Sequence, residues 1–303
     1  VQRCLRFAQY LPDFGWEPLV LSAHPRAYEQ VADDLEAQVP AGLVVRRAQA
    51  FDAARHFALR GRYPGALAIP DRWSSWRFDG VRLGLAMIEQ LRPAALWSTY
   101  PIATAHVIGA ELARRSGLPW VADFRDPMAQ EGYPADPRVR RAFVAIEQRI
   151  AGAAKACTFT TPSAARTYAA RYPHAAQRMT VIENGYDEGT FGGLDAVLHE
   201  PLNDGAITLL HSGIVYPSER DPTQLFAALG LLRRTKPALM QRLRLRFRGA
   251  QHEDLLRRLA DEHGVADRVE TLAPIPCRDA LVEMLRADAL LILQAANCNE
   301  QIP

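Results

Sequence analysis

The sequence predicts an α/β fold of two doubly wound domains facing each other across a cleft. Short apolar runs alternate with amphipathic helical stretches through most of the chain. That alternation is the signature of β-α-β units and a parallel sheet. The rhythm breaks once, at residues 184–205, where Asn184-Gly185 is followed by Gly189, Gly192, Gly193 and Gly205. The length of 303 residues also suits two domains. The expected division is a first domain over 1–186, a linker over 187–205 and a second domain over 206–303. Such domains take ligands at the carboxyl ends of their strands.

The chain opens on a helical face formed by Val1, Cys4, Leu5, Ala8 and Leu11, which Gly15 is placed to end. Strands are then expected at 17–22, 43–45, 94–98, 119–123, 156–160 and 179–182. Helices are expected near 26–39, 79–92, 102–116, 137–152 and 163–172. In the second half, strands fall at 207–210, 243–247, 268–272 and 289–293, with helices near 221–235, 252–263 and 278–287. The repeat of about 30 residues is that of a β-α-β unit, not of a solenoid.

Composition narrows the class. Apolar residues make up 49% and charged residues 23%, which excludes disordered, collagen-like and disulfide-scaffold chains. A net charge of +2 is too balanced to predict a nucleic-acid partner. All but Lys155 and Lys236 of the 36 basic residues are arginine. Codon bias in a GC-rich genome accounts for that skew, with anion binding by guanidinium groups as the alternative. Cys4, Cys157, Cys277 and Cys298 form no C-x-x-C pair, so neither zinc nor a disulfide framework is expected, and the cytoplasm is the simplest compartment. No run approaches about 18 apolar residues, so no membrane-spanning helix is expected. The chain has no initiator methionine and stops just after a strand pattern, so it reads as a piece of a longer protein.

Five stretches carry candidate chemistry. His211-Ser-Gly-Ile-Val-Tyr-Pro-Ser-Glu-Arg-Asp-Pro222 runs from a buried strand into a helix. Gly213 permits close backbone approach, Arg220 can grip a phosphate, and the helix end adds amides and a positive dipole. The alternative is an ordinary turn with a surface arginine. Trp120-Val-Ala-Asp-Phe-Arg-Asp-Pro127 sets Asp123, Arg125 and Asp126 at a strand end. A carboxylate there can orient a sugar hydroxyl, with Arg125 keeping it ionised. The alternative is a helix cap at Asp126 and an Arg–Asp pair that fixes the loop. Ser98-Thr-Tyr-Pro-Ile-Ala-Thr-Ala-His106 places Tyr100 at a strand end and His106 one turn into a helix, as a base or as a structural histidine. Val181-Ile-Glu-Asn-Gly-Tyr186 closes the first domain, and Asn297-Cys-Asn-Glu300 follows the last strand.

Two arginine-rich stretches stand apart. Asp71-Arg-Trp-Ser-Ser-Trp-Arg-Phe78, with Arg55, Arg60 and Arg62, is either a patch for an anionic membrane or a packed loop with snorkelling arginines. Arg242-Leu-Arg-Leu-Arg-Phe-Arg248 reads as an edge strand in which Arg248 alone reaches the cleft.

Taken together, the Pro119–Pro127 segment, the Val181–Asp187 run followed by Phe191, the Gly213 turn with Arg220, and Asp288–Leu293 followed by Glu300 resemble a glycosyltransferase family 4-like protein of the GT-B fold. The resemblance implies transfer of a sugar from a nucleotide-diphosphate sugar to a glycan or lipid-linked acceptor, in cell-surface polysaccharide or glycolipid assembly. It further implies retention of configuration, no metal or other cofactor, and a cytoplasmic setting at the inner face of the membrane. By the resemblance, Gly213, Arg220 and Arg248 bind the donor diphosphate and Glu300 the donor sugar. Asp123, Asp126 and His106 serve the catalytic acceptor side, with Arg125 and Tyr100 beside them. Ile214 stands where family members often carry a second arginine, and the second glutamate of the E-x7-E motif lies past Pro303. Residues 1–303 alone are therefore expected to turn over little substrate. The competing classes are a non-catalytic two-lobed binding or scaffold protein and a nucleotide-sugar epimerase of the same fold.

Overall fold

Parallel strands that are apolar on both faces need helices to cover them, and the chain builds this arrangement twice. A computed structural model describes residues 2–29, 31, 33–60, 62–194 and 200–294. It divides into two compact units, Val1–Gly185 and Tyr186–Pro303. The boundary falls in the Asn184-Gly185 turn. The stretch expected to be a linker groups with the second unit: Arg286 Nε donates to Glu200 O at 3.0 Å and Leu202 N donates to Arg286 O at 3.3 Å.

The first unit runs α1 (Gln2–Tyr10), β1 (Leu19–Ala23), α2 (Asp33–Glu36), β2 (Val44–Ala48), α3 (Ala53–His56) and α4 (Trp76–Leu91), then β3 (Leu96–Thr99) and α5 (Ala103–Ser116). It continues with β4 (Trp120–Arg125), α6 (Pro137–Ala153), β5 (Ala156–Phe159), α7 (Pro162–Arg171) and β6 (Met179–Val181). Gly15, at φ +77°, ends the turn after α1 in the left-handed region that glycine tolerates best.

The helix expected over 26–39 is replaced by a turn at Pro25–Ala27 and the single-turn α2. Arg55 takes the carbonyls of Arg26 and Tyr28, and Tyr28 packs on Trp73 at 6.1 Å, so this backbone is drawn into tertiary contacts.

The six strands form two parallel sheets rather than one. β3-β4-β5-β6 is the main sheet, and β1-β2 is a separate pair. Leu21 of β1 and Leu96 of β3 pack in one core with α4 and α5, so the two sheets share a helical layer. Gly80 and Gly84 let α4 lie close against Ile108 and Leu112 of α5. The main core centres on β4 and β5, where Phe124 and Phe159 stack at 5.0 Å and Tyr168 closes on both.

The second unit runs β7 (Ile207–Ser212), α8 (Thr223–Thr235), α9 (Pro237–Arg242), β8 (Leu243–Arg248), α10 (Glu253–Glu262), β9 (Val269–Leu272), α11 (Cys277–Arg286) and β10 (Ala289–Leu290). Its parallel sheet has the order β10-β7-β8-β9. The arginine-rich strand, expected at an edge, is therefore internal. Leu243, Leu245 and Phe247 are buried on one face, and Arg246 and Arg248 of the other face meet acids.

Gly109 of α5 tests the closeness of helix and sheet. A Cβ there would meet Trp120 Nε1 at 2.8 Å and Ser98 Oγ at 2.9 Å. Gly109→Ala should cost roughly 1–3 kcal/mol of overpacking, more than offsetting the roughly 1 kcal/mol gained in helix propensity. A lowered urea midpoint is expected, and a raised one would contradict this packing.

Candidate functional site

The carboxyl ends of β3, β4 and β5 converge on Asp123. Its carboxylate accepts from Thr99 Oγ1 at 2.8 Å, from Thr158 Oγ1 at 2.7 Å, and from Arg3 Nε and Nη2 at 3.1 Å each. The residue has 0% exposure. Four donors on a buried carboxylate leave no place for a substrate hydroxyl, so the expectation that Asp123 receives the acceptor is corrected. The arginine paired with it is Arg3, not Arg125. Arg3 also reaches Ile182 O at 3.2 Å and Glu183 O and Asn184 Oδ1 at 3.4 Å, fastening α1 to the end of β6.

Just beyond, the β4–β5 register slips between Asp123 and Arg125. Arg125 sits at φ +57°, and its carbonyl accepts from Thr160 Oγ1 at 2.8 Å. Such strained backbone is over-represented at functional sites. The Arg125 guanidinium touches Tyr100 O at 3.4 Å, and its buried Nε has no partner. Asp126 is exposed at the mouth of the strand. Partial burial holds its carboxyl above the usual range, with the Arg125 charge opposing. It caps no helix. The helix begins at Pro137, and Asp136 caps it by accepting from Arg138 N at 2.8 Å. Tyr100 is buried on its ring side, edge-on to Phe143, and burial pushes its phenol up. What it offers at the site is its carbonyl.

His106 is fully buried, and the expectation of a catalytic base there is corrected. Its Nδ1 lies 2.8 Å from Ser98 Oγ, which accepts from Trp120 Nε1 at 2.8 Å. The Ser98 proton is thus left for Nδ1. Burial pulls the imidazole down to about 4, with Asp123 opposing, so it is neutral at ordinary pH.

Sequence reasoning missed Glu147 of α6, which is 0% exposed. It accepts from Ala129 N and Arg171 Nη1 at 2.8 Å, from Tyr168 OH at 2.5 Å and from Tyr172 OH at 2.8 Å. Tyr168 OH also accepts from Met128 N at 2.7 Å. The loop after Asp126 is therefore pinned to α6 and α7. A signal was present, since Glu147 interrupts the apolar stripe Phe143, Ile150, Ala151.

In the second unit, β7 leads into the Gly213 turn. Gly213 has φ +140°, and a Cβ there would meet nothing within 4 Å, so its constraint is conformational. Its N–H donates to Arg248 O at 2.9 Å, and Val215 N donates to Ala250 O at 3.1 Å. Asp221 accepts from Thr223 N at 2.9 Å, filling one amide at the start of α8. Arg220 stands 5.9 Å from the Tyr216 ring centre, with its Nε buried and unpartnered. No carboxylate lies within ion-pair distance of it among the described residues.

Arg248 differs, and its expected donor-binding role is corrected. Its Nε and Nη2 donate to Glu283 at 2.8 Å each, and Nη1 donates to Ala273 O at 2.7 Å. Glu283 is buried, and Arg248 and Arg246 hold its carboxyl below the usual range. Glu300 lies outside the described residues.

These two units, each a parallel sheet with its chemistry at the strand ends, define a two-domain nucleotide-type α/β fold. Residues 1–185 match the family of the glycosyl transferase 4-like domain, and the chain belongs to that family. Among solved structures it is similar to HepE of Anabaena in complex with UDP and glucose, with TM-score 0.56 and 13% identity over 89% of this chain and 73% of that one. It is also similar to sucrose-phosphate synthase of Thermosynechococcus elongatus, with TM-score 0.62 and 16% identity over 94% and 67%. The chain has the GT-B fold, with two Rossmann-like domains. No curated protein matches it.

His106 makes the first unit acid-sensitive. Its folded value near 4 lies below the unfolded value near 6.5, so the unfolded chain takes the proton first as pH falls. This stabilisation is complete above about pH 6.5 and is lost progressively down to about pH 4, roughly 2 kcal/mol of it by pH 5. His106→Leu should flatten that part of the urea-midpoint profile between pH 7 and 5. An unchanged slope would reject the assignment.

Proposed function

We propose that the chain is a glycosyltransferase that takes its sugar from a nucleotide-diphosphate sugar and passes it to a glycan or lipid-linked acceptor. The observation that carries the reading is Arg220: a half-buried guanidinium with no carboxylate within ion-pair distance among the described residues, between the Gly213 turn and the start of α8. As the bond to the anomeric carbon breaks, negative charge gathers on the leaving diphosphate. A cation already fixed in place stabilises that charge without reorganising. Gly213, which has open space around its α-carbon, lets the phosphates approach the backbone. The UDP and glucose held by HepE support a nucleotide-diphosphate donor.

On the acceptor side, the reading rests on Asp126 and Arg125 at the mouth of β4. Asp126 is the exposed carboxylate of the pair and can accept a hydrogen bond from an acceptor hydroxyl. We extend the proposal to retention of configuration, to a reaction without a metal ion, and to envelope glycan or glycolipid assembly on the cytoplasmic side.

Binding of UDP, GDP and ADP followed by calorimetry tests the donor site. Arg220→Ala should weaken the preferred nucleotide roughly ten- to hundredfold, the loss expected for a charged hydrogen-bonding group. Equal affinity in the variant, or no binding of any nucleotide diphosphate by the folded wild type, would sink the reading. Turnover should persist in excess EDTA, and loss of activity that magnesium or manganese restores would remove the metal-free part. Proton NMR of the first product formed reads the anomeric outcome directly.

A further inference from the structure

The outer side of α4 and α5 holds a groove of about 490 Å³ that neither proposed substrate uses. Val81 and Leu85 of α4 and Val107 of α5 give it an apolar floor. At its lip stands Phe78, 69% exposed. Scattered exposed apolar residues are ordinary. This one is set among cations.

Arg77, Arg82, Arg115 and Arg149 line the same groove. Asp79 occupies Arg82, and Glu111 is shared by Arg114 and Arg115. Arg77 and Arg149 are exposed and have no ion-pair partner among the described residues. The Arg77 guanidinium lies 4.6 Å from the Phe78 ring centre, so the charge and the ring present themselves together.

The sequence stretch 71–78 does not act as one patch. Asp71 is turned inward and accepts from Thr104 N at 2.7 Å, Arg72 pairs with Asp52, and Trp73 Nε1 donates to Ala27 O at 2.9 Å. Trp76 is buried. Only Arg77 and Phe78 point outward, and the partners they gain come from α5 and α6, not from Arg55, Arg60 or Arg62.

The groove's occupant must supply an anion for Arg77 and Arg149 and an apolar body for Phe78 and the floor. A bare polyanion supplies only the first. We propose that this face docks on an anionic phospholipid membrane, with Phe78 entering the interface and Arg77 and Arg149 meeting head-group phosphates. The chain's net charge is only +2, so the attraction is a property of this face and not of the molecule as a whole.

Co-sedimentation of the full chain with vesicles tests this, using phosphatidylcholine alone and phosphatidylcholine with about a third phosphatidylglycerol. Binding to the anionic vesicles only is expected. Arg77→Ala and Arg149→Ala should each lower it roughly fivefold, and Phe78→Ser should lower it at least as much. All three side chains are exposed, and unchanged circular dichroism and urea midpoints will verify that the variants fold. No binding to anionic vesicles, or binding that all three variants retain, would overturn the proposal. Loss with the arginines but not with Phe78→Ser would show simple polyanion attraction and overturn it equally.

Discussion

The first unit is organised around one buried ion pair. Asp123 ends the regular part of β4, and its two oxygens collect hydroxyls from β3 and β5 and a guanidinium from α1. A buried carboxylate is tolerable only when its lone pairs are taken and its charge is met. Both conditions are satisfied here by groups from three other elements. The pair therefore fixes where three strands end and where α1 lies. Everything beyond it, including the slip in register and the left-handed Arg125, is built on that fixed point. Because Asp123 is saturated, the acceptor-side role proposed for this strand end falls to the next residues outward, Arg125 and Asp126.

The same solution recurs at Glu147 and Glu283. Glu147 is buried among two tyrosines, a backbone amide and Arg171. Glu283 is buried beneath Arg246 and Arg248. Arg3 and Arg248 each supply several donors in a fixed plane, which an ammonium group does not. Composition says how many arginines the chain has. It does not account for where these stand, and at these positions lysine would leave acceptors unmet.

How much was legible in the sequence follows from range. Strands announced themselves as apolar runs, and helices such as Pro137–Ala153 as stripes bounded by a cap, because those signals are local. The split of the first sheet and the loss of the helix over 26–39 were not legible, since both depend on Arg55, Trp73 and the α4–α5 layer reaching back along the chain. Arg3 gave no local sign at all: its partner lies 120 residues away. The edge-strand reading of 242–248 failed for a related reason. Alternating arginines look solvated until Glu283 of a later helix is placed over them. The strand, the Gly213 turn and the helix start behind Arg220 were readable because they are contiguous in sequence. Asp123, His106 and Arg248 were misread because their partners are not.

The contrast between Arg248 and Arg220 shows what separates architecture from function in an arginine-rich chain. Arg248 ends one strand and Arg220 follows the neighbouring strand of the same sheet, and by position alone either can face a phosphate. Arg248 directs all three of its nitrogens to internal acceptors, so an incoming diphosphate must first break a buried pair with Glu283. Breaking such a pair typically costs about 3–5 kcal/mol, more than the roughly 1.5–3 kcal/mol that a charged hydrogen bond to a ligand returns. Arg220 carries no such debt: its guanidinium leans on an aromatic face and has no carboxylate within ion-pair distance among the described residues. The same criterion separates Arg3 from Arg125 in the first unit, and Arg82 from Arg77 on the outer face of α4. A guanidinium with an internal carboxylate holds the fold together, and one without is available to an anion from outside.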